Sequence, residues 1–160
     1  MAMKKFLLTL ILAFYMLSGW CQQRATTFQK ASQYGISVKL LDSLYTPALS
    51  GDADSMKTVF YGKYKEFVGE YRNLILDLKK HLTKHHFSWG KTTRCFNRIY
   101  FNEHGTIDYF LYNFGPGEIT PEKEQQFEKL LTTFIEDYKF PLPAPSKFAQ
   151  CSPVTYIDYQ

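Results

Sequence analysis

Arg94-Cys95-Phe96-Asn97-Arg98-Ile99-Tyr100-Phe101, then Asn102-Glu103-His104-Gly105, then Thr106 to Phe114: the fold is decided by how this stretch is read. Cys95, Ile99 and Phe101 alternate with Phe96, Arg98 and Tyr100 on a period of two, as in a strand with two distinct faces. Asn102 favours a turn, and Gly105 takes positive φ without a Cβ clash, which suits a type I turn closed by a bulge. Alternation then resumes, with Ile107, Tyr109 and Leu111 on one side and Phe110, Tyr112 and Phe114 on the other. The stretch predicts a β-hairpin.

Downstream, Gly115-Pro116-Gly117 ends the second strand, because Pro has no ladder donor and the glycines have nothing to pack. A helix is predicted from Thr120, a good N-cap, with Pro121 in the first turn and Glu122 and Glu124 near the positive end of the dipole. Phe127, Leu130, Leu131, Phe134, Ile135 and Tyr138 give it one apolar stripe. Phe140 to Pro145 stops the helix, and a closing strand runs from about Lys147 to Ile157, with Pro153 placing it at an edge or a bulge. The expectation is an α+β fold: a small antiparallel ββαβ sheet in strand order 2-1-3, packed with this C-terminal helix and with a long N-terminal helix.

That order of elements, the turn Asn102 to Gly105 and the terminal Pro153-Val154-Thr155-Tyr156 resemble the C-terminal domain of TonB-type energy transducers and their envelope relatives. The resemblance implies an interaction role in the cell envelope. Arg94 to Phe101 and Phe148-Ala149-Gln150-Cys151-Ser152-Pro153-Val154 also resemble segments of small uncharacterised secreted proteins of Gram-negative bacteria, which implies no activity.

Upstream, Lys4 and Lys5 precede an apolar run from Phe6 to Leu17 and then Ser18, Gly19, Trp20 and Cys21, the pattern of a secretory signal too short to span a bilayer. Residues 1–21 are expected to be removed, leaving one exported α+β domain, 22–160, with a helical part to residue 90 and the ββαβ part from 91. The expected location is periplasmic or extracellular, with no transmembrane helix after processing. A lipoprotein anchored at Cys21 is the alternative, and Trp20 fits it poorly. Gly51 to Ser55 is a break, after which Met56, Val59, Phe60, Tyr64, Phe67, Tyr71, Leu74, Ile75, Leu78 and Leu82 predict the long helix. It is expected to cover the sheet's second face.

Removal of Cys21 leaves Cys95 and Cys151, an even pair in an oxidising compartment. Either they bridge the first and last strands of the unit or they are two buried thiols.

Composition excludes disorder, at 45% hydrophobic and 18% aromatic, and the net charge of +4 contains no single-sign block that would mark a nucleic-acid footprint. No phosphate-binding loop, nucleophile elbow or cofactor motif is present, so no catalytic residue and no cofactor is expected. His81 and His85 share a helix face, the minimal geometry for a metal pair, but no further ligand is close in sequence, and cations at a helix C-terminus have an ordinary explanation. The expected function is a non-enzymatic binding module with Phe96, Tyr100, Phe110, Tyr112 and Phe114 as a common aromatic face for an envelope protein, an extended peptide or a glycan. A small periplasmic hydrolase using Asp108, His104 and Glu103 is the alternative.

Overall fold

The computed structural model describes residues 24–50 and 56–158. The signal segment and the Gly51 to Ser55 break lie outside the described residues. The fold is mixed α+β, with strands β1 (Ala25–Thr27), β2 (Thr46–Pro47), β3 (Thr93–Phe101), β4 (Ile107–Phe114) and β5 (Phe148–Tyr156), and helices α1 (Phe28–Gln33), α2 (Val38–Leu44), α3 (Tyr64–Lys84) and α4 (Pro121–Asp137).

The five strands form one sheet in the order β1-β4-β3-β5-β2. β3 pairs antiparallel with β4 and β5, whereas β1 and β2 add in parallel at the two edges. The three-stranded 2-1-3 sheet expected from the sequence is therefore not the sheet that forms. Both edge strands come from the part expected to be helical, and at three and two residues they are too short to display a period.

The β3–β4 turn follows its residue chemistry. Asn102 Oδ1 accepts from the N–H groups of His104 at 2.9 Å and Thr106 at 3.1 Å. Gly105 holds φ 83°, and a Cβ there would collide with the Phe140 carbonyl oxygen, so the turn also fixes where the chain re-enters after α4. α4 begins as its sequence dictates, with the Thr120 hydroxyl accepting from Lys123 N–H and Pro121 in the first turn.

The long helix departs from expectation. It starts at Tyr64 rather than Met56, because Gly62 takes φ 73°, incompatible with a continuing helix, and because Val59 and Phe60 donate their N–H groups to Pro47 and Ala48 beside β2. It also does not cover the second sheet face. Phe67, Leu74, Leu78 and Leu82 of α3 lie with Phe127, Leu131 and Ile135 of α4 in one core against Ile99, Phe101, Phe110, Tyr112, Phe148 and Tyr156. The opposite, outer face is covered by α1 and α2, whose Ala31 and Leu41, with Tyr45, bury Tyr100 and Leu111.

Candidate functional site

Among the described residues α1 and α2 cover the outer face around Tyr100 and Leu111 and leave Phe96 exposed, and the candidate site lies beside them. α2 starts at Ser37, whose hydroxyl caps Leu40 N–H, and lays Leu41 on the sheet. Its Asp42 then accepts from Arg98 Nη2 at 2.6 Å and from the Tyr100 hydroxyl at 2.9 Å. Tyr45 packs edge-on against Tyr100 with centroids 5.1 Å apart and donates its hydroxyl to Asp108 Oδ2 at 2.7 Å. Burial, then the carboxylate each one bonds, pushes both phenols well above the ordinary tyrosine range, so they act as hydrogen-bond donors and not as acids at neutral pH.

Beside this network Pro47, Leu49, Arg98, Gln150 and Cys151 line a shallow groove of about 130 Å³. Farther along, Arg94, Phe96, Asn113, Pro153 and Thr155 line an open depression of about 290 Å³. Among the described residues the ring contact of Phe96 is with Phe28 of α1, at 6.2 Å between centroids, and Phe96 stays 39% exposed on the central strand.

The free edge of β5 is less inviting than the face. Thr46 and Ala48 donate to the carbonyls of Lys147 and Ala149, so odd-numbered residues of β5 turn their backbone groups toward β2. β2 ends at Pro47, which leaves Cys151, Pro153 and Thr155 facing outward. Pro153 has no N–H to give, and the Gln150 side chain already donates to the Cys151 carbonyl at 2.9 Å. An edge blunted in this way resists strand addition.

The five expected binding aromatics do not share a face. Ile99 pairs with Phe110, Asn97 with Tyr112 and Cys95 with Phe114, which puts Phe110, Tyr112 and Phe114 on the helix-covered side and Phe96 and Tyr100 on the outer side. Phe110, Tyr112 and Tyr100 are fully buried. Phe114 is half-buried against Trp89 and Phe127, so Phe96 is the one of the five open on the outer face.

Cys95 and Cys151 are both free thiols in this structure. Cys95 pairs with Val154 and Cys151 with Arg98, so the two sit three positions apart on opposite faces. Burial pushes the Cys95 thiol up to about 12, and it donates to Asn97 Oδ1 at 3.2 Å, which disqualifies it as a nucleophile. The Asp108 carboxylate is held by Tyr45 and, at 3.4 Å, by Asn102, while Glu103 and His104 lie exposed in the turn. The fold thus does not assemble the three into an acid–base set. His81 and His85 do come together, with ring centroids 4.6 Å apart, although no group of three or more His, Cys, Asp or Glu gathers as metal ligands among the described residues.

Sequence reasoning missed Asp42 and the groove. The available signal was Arg98, a charge placed between Phe96 and Tyr100 on one strand face, which needs a carboxylate from elsewhere. No family model matches the chain, and no curated protein and no solved structure matches it either.

Proposed function

We propose that this chain is an exported, non-enzymatic interaction module of the cell envelope that receives a partner protein on the outer sheet face around Phe96. One observation carries the reading: Phe96 stands 39% exposed on the central strand of the sheet, paired with Pro153 of β5 and flanked by Phe28 of α1. Large aromatics at the middle of an open face are the residues on which protein interfaces concentrate their energy. The blunted β5 edge favours a partner lying across the face over one adding a strand. The signal-like residues 1–21 and the resemblance to TonB-type C-terminal domains support an envelope location. Among the described residues no helix is long and apolar enough to cross a membrane.

A photo-crosslinking amino acid placed at position 96 of the exported protein tests this, with position 76 on α3, 41% exposed, as the control. The reading requires a discrete adduct with one envelope protein from position 96 and none from position 76. Equal adducts from both positions, or none from position 96, would contradict it.

A further inference from the structure

We propose that His81 and His85, one turn apart near the end of α3, form a two-histidine site for a divalent transition metal of the Ni²⁺ or Cu²⁺ class, with water completing the coordination. This site is independent of the partner surface, since α3 lies on the opposite side of the sheet from Phe96.

The spacing puts both imidazoles on one helix face, and imidazole is a ligand suited to these metals. Their ring centroids are 4.6 Å apart with planes inclined by 52°. A metal about 2.0–2.1 Å from one nitrogen of each ring, that nitrogen lying about 1.2 Å from its centroid, sets the centroids about 4.5 Å apart for a right angle at the metal and about 5.2 Å for a tetrahedral one. The observed separation fits a metal shared by the two rings, and for nitrogen ligands the order of first-row divalent ions favours Cu²⁺, with Ni²⁺ next below it.

His81 is also held as a ligand would be. Its Nε2 lies 3.1 Å from the Thr133 hydroxyl, and that hydroxyl donates to the Leu130 carbonyl at 2.9 Å. Nε2–H is therefore the donor and Nδ1 carries the lone pair, the arrangement in which a ligating histidine is oriented through its other ring nitrogen. The Phe134 ring, 5.6 Å away, backs the imidazole from α4. His85 is exposed, so water reaches the remaining coordination positions. His86 is not part of the pair, because it has left the helix at φ 57°.

Titrating the untagged chain with Ni²⁺ in a non-coordinating buffer, by calorimetry and by thermal melting, tests the site. One Ni²⁺ should bind per chain; His81→Ala and His85→Ala should each weaken it by at least roughly tenfold, with His86→Ala, His104→Ala and Cys151→Ser unchanged. Ni²⁺ should raise the melting temperature of the unmodified chain and of those three controls but not of His81→Ala or His85→Ala, since only the folded helix presents the pair. His85→Ala, at an exposed position, keeps the fold intact for the comparison. The proposal is overturned by absence of binding at large Ni²⁺ excess, by binding that survives the double substitution of His81 and His85, or by binding that follows His86, His104 or Cys151.

Discussion

Cys95 and Cys151 occupy adjacent strands yet face away from each other, because an offset of three positions in the β3–β5 register reverses the side on which a side chain emerges. A disulfide needs Cβ atoms about 3.5–4.5 Å apart, which opposite faces of a sheet do not provide. Thiol titration of unreduced native protein comprising residues 22–160, which lacks Cys21, should therefore find one fast thiol, Cys151, and a second, Cys95, only after denaturation; no titratable thiol in that protein when denatured and unreduced would show a bridge and refute the register. At the other end of β5, Asp158 accepts from the N–H groups of Trp89 and Gly90, both at 2.8 Å, and from the Ser88 hydroxyl at 2.9 Å. Desolvation acts upward on this carboxyl, but the donors outweigh it and hold the carboxyl below the usual range. The unfolded chain then takes up this proton at a higher pH than the folded one, so the stabilisation is present above the ordinary aspartate pKa of about 3.9 and is lost as pH falls through the lower folded value. Asp158→Asn should lower the unfolding midpoint at pH 7, and the gap to the unmodified chain should close as pH is taken below about 4. A gap that stays constant with pH would show that the clamp is not carried by charge.

α3 ends in a Schellman motif, with Phe87 N–H bonded to Leu82 O and His86 N–H to Thr83 O, both at 3.0 Å. His86 fills the left-handed position at φ 57° that glycine adopts without a Cβ clash. His86→Gly should therefore stabilise the protein by about 0.5–1 kcal/mol in denaturant unfolding, and a loss of stability would mean that the imidazole makes a contact worth more than the strain. The start of the same helix shows how a periodic pattern misleads. Val59 and Phe60 fit the apolar stripe of α3, but they pair with Pro47 and Ala48, and Phe60 packs its ring on Phe67 and Phe148. The stripe records which residues are buried, not which element carries them. α4 was legible because Thr120, Pro121 and the Gly-Pro-Gly before them act locally, through a cap, a fixed φ and a broken ladder. β1 and β2 were illegible because they exist only through pairing with distant strands.

Among the described residues of the molecule the two long helices share one sheet face and the two short ones take the other, an asymmetry that leaves Phe96 exposed. Each hairpin strand's alternation was readable, but which face of β3 joins which face of β4 depends on the turn and on the bulge at Tyr100 and Phe101. A shift of one residue there exchanges every partner, and this is why alternation alone places Phe110 and Tyr112 with Phe96. The site was still less legible, since Asp42, Arg98 and Cys151 meet only through the cross-sheet order and the seating of α2. Paired substitutions at Phe110 and Phe96 test the division into a sealed inner face and a partly open outer face, with unfolding midpoint and position-96-dependent partner binding measured together. Phe110→Ala, from a fully buried site, should cost about 3–5 kcal/mol while the folded fraction still binds. Phe96→Asp should change stability by less than about 1 kcal/mol and abolish partner binding. If Phe96→Asp instead destabilises the protein as much as Phe110→Ala while binding survives, the outer face is core and not a docking surface.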